Sequence, residues 1–175
     1  GQTSTGFNDA FIRKYNLFGG EVWTRQFGTA TQDLAFGVFA DVSGVYITGY
    51  TLGTFIGQTR VAPGSDPDVF VRKYSGAGAE QWTRQFGTTG SGFPSPEFST
   101  GISVHDSAIY VSGRIEDDGV FSGETSSGGT DAFIVKLSAG DSTPPVITSA
   151  TVTPRIVGTT AQITITKTVT DDTGV

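Results

Sequence analysis

The sequence predicts an all-β chain of antiparallel four-stranded units: two in tandem, the first strand of a third, and then part of a β-sandwich. Three observations predict it. The run Asp9-Ala10-Phe11-Ile12-Arg13-Lys14-Tyr15 returns 59 residues on as Asp68-Val69-Phe70-Val71-Arg72-Lys73-Tyr74, and 63 further on as Asp131-Ala132-Phe133-Ile134-Val135-Lys136-Leu137. The run Glu21-Val22-Trp23-Thr24-Arg25-Gln26-Phe27-Gly28-Thr29 returns with the same displacement of 59 as Glu80-Gln81-Trp82-Thr83-Arg84-Gln85-Phe86-Gly87-Thr88. Between these runs no stretch has helical periodicity or helix-sized length.

Each unit carries four short runs of β-formers, which in the first unit are 10–15, 22–27, 36–40 and 45–50. Gly19-Gly20 joins the first two, and Gly76-Ala77-Gly78 does so in the second unit. Val42-Ser43-Gly44 leads into the fourth. Connections this short make hairpins, so each unit is expected to pair as one antiparallel meander. Because side chains alternate along a strand, Trp23, Arg25 and Phe27 share one face and Val22, Thr24 and Gln26 the other. Apolar residues on both faces of the Asp-led strand suit a sheet sandwiched between neighbours.

The second half of the unit repeats more loosely. Gly44-Val45-Tyr46-Ile47-Thr48-Gly49 pairs with Ala108-Ile109-Tyr110-Val111-Ser112-Gly113, displaced by 64, and Phe55-Ile56-Gly57-Gln58-Thr59 with Phe121-Ser122-Gly123-Glu124-Thr125. Gly1-Gln2-Thr3 reads as the tail of another copy of that last element. The step from 59 to 64 places about five extra residues within 89–97, a Gly-, Ser- and Pro-rich stretch expected to form a lengthened surface loop. The units are therefore bounded at about 9–67 and 68–130, with a partial unit at 131–140.

These motifs resemble the bacterial seven-bladed β-propeller repeat family. The resemblance rests on Asp131 to Leu137, Trp23 to Gly28 and Gly44 to Thr51 with their copies, and it covers roughly residues 1–140. It implies propeller-type blades and a secreted or surface-displayed protein. The chain departs from that pattern in its longer units and in Thr24-Arg25-Gln26 before Phe27-Gly28. Propellers close with about four to eight blades, so two units and one strand are expected to be an excerpt of a longer polypeptide. A ring completed by several chains and an open stack are the alternatives.

Residues 141–145, ending in Pro144-Pro145, read as a stiff linker. Beyond it, Thr-rich alternating segments at 146–154 and 161–170 resemble the opening strands of bacterial immunoglobulin-like surface domains. A whole sandwich takes about 100 residues. The bland expectation is that the rest lies outside this sequence, and the sharper one is strand addition to a neighbouring subunit.

Composition excludes several classes. A formal charge of −6 and a pI near 4.6 oppose nucleic acid as a partner. The chain has no Cys and no Met, so disulfides and thiolate metal sites are excluded. No apolar run approaches the roughly 18 residues that span a bilayer. Gly1 does not open a signal peptide, so any export signal is expected outside the sequence.

Candidate chemistry is sparse. His105, the single histidine, adjoins Asp106, but there is no Gly-x-Ser-x-Gly nucleophile, and the pair reads as a solvated turn. Asp66-Pro67-Asp68, Glu116-Asp117-Asp118-Gly119 and Asp171-Asp172-Thr173-Gly174 offer oxygens for calcium without the alternating spacing of a calcium loop. Each is expected to make a turn, and Glu116 and Asp117 resemble a glycosidase carboxylate pair only superficially. Asp9, Asp68 and Asp131 recur once per unit, as caps that start a strand do, rather than as a ring of ligands. Trp23 and Trp82 offer sugar-stacking surfaces, but their alternation with Phe27 and Phe86 favours packing.

No catalytic, cofactor-binding or metal residue is therefore assigned, and no cofactor is expected. The expected function is a non-catalytic extracellular scaffold, adhesin or filament component. Its expected partners are other protein subunits, the remainder of the same polypeptide, or cell-surface glycans. The alternative is an accessory, carbohydrate-binding part of a larger secreted enzyme whose catalytic site lies outside this segment.

Overall fold

The computed structural model describes residues 2–62, 64, 66–88, 96–116, 119–121, 124–126 and 128–138, and the backbone alone of 151–152 and 165–166. The described residues contain no helix. Their strands are β1 (Ala10–Tyr15), β2 (Glu21–Phe27), β3 (Asp33–Asp41), β4 (Gly44–Thr51), β5 (Asp68–Tyr74), β6 (Glu80–Phe86), β7 (Glu97–His105), β8 (Ala108–Ile115), β9 (Asp131–Ser138), β10 (Thr151–Val152) and β11 (Ile165–Thr166). All sheets are antiparallel: β1-β2, β3-β4-β5-β6, β7-β8-β9 and the short β10-β11 pair.

The strands predicted within the two units and at 131–137 are present, but they do not pair as one meander per repeat; the linker 141–145 lies outside the described residues, as do the segments 146–154 and 161–170 apart from the backbone of 151–152 and 165–166. The first two strands of a repeat join the last two of the repeat before it, so the complete sheet runs from Asp33 to Phe86. The physical reason lies in two connections. After β2 the chain turns at Gly28-Thr29, where the Thr29 N–H donates to Asp33 at 2.6 Å, and it steps into the next sheet instead of folding back. After β4 the longer stretch 52–67 returns to pair β5 with β4, because Asp68 accepts the N–H groups of Val61 (2.9 Å) and Ala62 (2.7 Å). The equivalent step between β6 and β7 holds the inserted residues. Of these, 89–95 lie outside the described residues, while Glu97 is the first residue of β7 rather than part of the loop.

β3 is longer than the predicted run 36–40, and β3 and β7 each carry a bulge, between Ala35 and Gly37 and between Ser99 and Gly101. Both bulges lie beside the recurring glycine of the neighbouring strand. A Cβ on Gly49 would run into the Leu34 carbonyl, and one on Gly113 into the Phe98 carbonyl, which explains Gly at the end of each Gly/Ala-x-Tyr-x-x-Gly run.

The sheets stack face to face with a constant direction. Ala10, Ile12, Trp23 and Phe27 pack on Ile47, Phe70 and Tyr74 of the four-stranded sheet. The opposite face of that sheet, including Tyr46, Val69 and Val71, packs on Ile109, Val111, Phe133, Val135 and Leu137. Each junction contains the same three rings. Phe55 sits 6.3 Å from Phe27 and 5.3 Å from Phe70, and Phe121 sits 6.4 Å from Phe86 and 5.3 Å from Phe133. Burying each such ring contributes about 2–3 kcal/mol, with a further increment from edge-on ring geometry.

Candidate functional site

The carboxylates are placed by the turns they close. Asp68 accepts two backbone N–H groups from the returning loop and the Gln85 Nε2 donor at 2.8 Å. Asp9 accepts the Thr5 N–H at 2.8 Å and Gln26 Nε2 at 3.0 Å, and Asp131 accepts the Ser126 hydroxyl at 3.1 Å. These are strand-starting clamps. Donors already occupy both Asp68 oxygens, where a cation would require free lone pairs. Among the described residues no group of three or more His, Cys, Asp or Glu side chains is placed to hold a metal ion.

Two further carboxylates, Asp33 and Glu97, do not stand out in the sequence, yet both are wholly buried. They begin β3 and β7 and are equivalent, displaced by the same 64 residues as Tyr46 and Tyr110. Asp33 Oδ2 accepts the Thr29 N–H and hydroxyl; Glu97 Oε1 accepts the Thr88 N–H at 2.8 Å and the Thr88 hydroxyl. Among the described residues the other oxygens, Asp33 Oδ1 and Glu97 Oε2, have no hydrogen-bond partner. Desolvation raises the Glu97 pKa to about 8, with the Asp68 charge adding to it against the Thr88 bonds. Desolvation also pushes Asp9 upward, but bonds from Thr5 and Gln26 outweigh it and leave that carboxyl below its ordinary value.

The other sequence candidates are scattered. His105 and Asp106 lie at the β7–β8 hairpin, with Nε2 and Oδ2 3.2 Å apart and both side chains exposed. Asp106 and Ser107 both have positive φ, 47° and 63°, as a two-residue hairpin turn requires. Glu116 pairs with Arg114 at 2.7 Å. Asp117, Asp118, Asp171 and Asp172 lie outside the described residues. Trp23 is buried against Tyr74, and its Nε1 donates to the Gly76 carbonyl at 3.2 Å. Trp82 is partly buried, 6.1 Å from Tyr46. A Cβ on Gly78, whose φ is 82°, would come within 2.7 Å of the Trp23 indole, so the hairpin glycine makes room for that ring.

Among the described residues, two exposed faces lie at the ends of the stack. Phe70 and Tyr74 are 0% and 2% exposed, whereas Phe11 and Tyr15, their equivalents on β1, are 66% and 54% exposed. At the other end Ile134, equivalent to the fully buried Val71, is exposed. Val22 adds to the first surface, which also carries Arg13. Each end therefore displays a face whose copy inside the stack is covered by another sheet. A groove of about 660 Å³ runs between β1 and the β3–β4 face, lined by Phe11, Tyr15, Ala35, Val38 and Val45 among others.

None of the described residues belongs to a helix long and apolar enough to cross a membrane. No family model matches the chain, and no curated protein matches it.

Proposed function

We propose that the chain is a repeat-built structural module of an extracellular or cell-surface scaffold, adhesin or filament, of propeller type, acting by contact with other protein and not by catalysis. One observation carries this reading: Phe11 and Tyr15 lie exposed at one end while Phe70 and Tyr74, at the same repeat positions, are buried between sheets. Apolar faces of this kind mark association surfaces. Unlike faces at the two ends make the contact heterologous, the geometry that generates rings or filaments.

The test is sedimentation velocity across a wide concentration range. The wild-type chain is expected to associate, and F11D/Y15D to remain monomeric. A wild-type chain that is monomeric throughout, or turnover by it on a panel of glycans and ester or peptide substrates, overturns the reading.

A further inference from the structure

β1, β5 and β9 are three copies of one strand, but their edges differ. β5 pairs with β4 on one side and β6 on the other, and β9 pairs with β8. Among the described residues β1 pairs with β2 alone. The edge of β1 that corresponds to the β4 side of β5 is thus an unpaired row of backbone donors and acceptors. Beside it, Val38 on β3 is 63% exposed, whereas Ile102, its equivalent on β7, packs against the core between the second and third sheets. Edge and floor meet in the groove described above.

We infer that this groove receives a β-hairpin of the β3–β4 type, which adds to the β1 edge and completes a four-stranded sheet. The inference rests on the reading of the chain as a repeat module that works by contact. In the sheet that is complete, the order β3-β4-β5-β6 places such a hairpin directly against β5. The register follows from that ladder: Thr51 faces Asp68 and Val45 faces Tyr74, so the incoming strand sets its corresponding Thr against Asp9 and its Val against Tyr15.

Side chains specify the hairpin beyond its backbone. Gly49 lies opposite Phe70 and Gly113 opposite Phe133, and a Cβ on Gly113 would come within 2.7 Å of the Phe133 ring. At Gly49 the Leu34 carbonyl of the hairpin's own first strand holds that space, so glycine at this position lets the hairpin close and, as at Gly113, leaves room for the ring opposite it, which on β1 is Phe11. Three positions from the glycine in the ladder, and so on the other face, Lys73 lies 5.0 Å from the Tyr46 ring and Lys136 5.9 Å from the Tyr110 ring, and Lys14 holds the same position on β1. The occupant is thus a Gly-Val-Tyr-Ile-Thr-Gly strand presented by a hairpin, not an arbitrary extended peptide.

The probe is a fluorescein-labelled peptide of residues 33–51, titrated into the full chain by anisotropy, beside the same peptide carrying Gly49→Val. Saturable one-to-one binding, at least tenfold weaker for the Gly49→Val peptide, is expected, with slowed amide exchange confined to alternate residues of 10–15. Absence of saturable binding, equal binding of both peptides, or protection at β9 instead overturns the inference. Joining 33–56 ahead of Gly1 gives a second readout that needs no soluble peptide. That fusion should melt higher than its Gly49→Val counterpart (numbered as in the native copy), and equal melting overturns the inference. Self-association without peptide binding defeats this inference alone, whereas peptide binding by a chain that turns over substrate defeats the reading beneath it.

Discussion

Gly113 lies directly opposite Phe133 in the β8–β9 ladder, and the ring occupies the space a glycine Cβ would need. The Phe98 carbonyl closes the same space from the β7 side. Two backbones and an aromatic ring meet there, so a branched side chain forces all three apart. Gly113→Val should destabilise the chain by about 3 kcal/mol, the upper end for overpacking a close contact. Gly76→Ala, at a hairpin glycine with nothing near its Cβ position, should stay within about 0.5 kcal/mol. Urea denaturation of both variants measures the difference.

Stability should fall as pH rises through the Glu97 titration. The folded chain holds this carboxyl at about 8 against an ordinary 4.5, so between those values the native state keeps a proton that the unfolded chain has released. Glu97 thus favours folding fully below about 4.5, progressively less up to about 8, and changes nothing further above it. The slope approaches about 1.4 kcal/mol per pH unit within that window. Glu97→Gln, neutral at every pH, should flatten this part of the curve and be the more stable protein at pH 9. Below pH 4 Asp9, whose pKa is lowered, acts in the opposite direction and loses its contribution as it protonates. Melting temperatures from pH 4 to 9 for both proteins check the sign.

Arg72 and Arg13 occupy the same repeat position and should respond differently to truncation. The Arg72 guanidinium stacks 4.3 Å from the Phe27 ring and 4.7 Å from the Phe55 ring, and its ion pair with Glu80 spans 3.4 Å. Arg13 makes the equivalent ion pair with Glu21 at 3.5 Å but lies exposed. Arg72→Ala should cost about 2 kcal/mol through lost stacking and packing. Arg13→Ala should leave stability close to that of the wild-type chain, since solvent screens an exposed ion pair. Equal losses by chemical denaturation would refute the assignment of Arg72 to the interior of the stack.

Asp68→Asn should loosen the loop 52–67 before it unfolds the sheets. The carboxylate receives three donors, from Val61, Ala62 and Gln85, and an amide in its place turns a donor toward at least one of them. An unpaired buried donor costs about 1–3 kcal/mol. Cleavage after Arg60 by trypsin, followed by mass spectrometry, should quicken severalfold while the far-ultraviolet spectrum stays unchanged.

Much of the strand inventory is legible because repetition exposes it. The Asp-led and Trp-led runs mark β1, β2, β5, β6 and β9 from their spacing, and the alternation in β2 places Trp23 and Phe27 on one buried face. The buried acids Asp33 and Glu97 are less legible, since one is Asp, the other Glu, and the insertion displaces the second by five extra residues. Their shared spacing of 64 from each other, matching that of the tyrosines, is the signal that identifies them.

By itself the sequence determined that the chain is all-β, that it is built of repeated antiparallel strands, and where most of those strands lie, because alternation and turn residues are local properties. Which strands share a sheet was decided only by the tertiary structure. Pairing β4 with β5 depends on the Asp68 clamp drawing back a long loop, and parting β2 from β3 depends on Asp33 holding Thr29 across a sheet-to-sheet step. Among the described residues β1 has only β2 beside it, which leaves it an open edge and an uncovered aromatic face. Identical side chains at equivalent positions differ in exposure because one copy has a neighbouring sheet and the other does not.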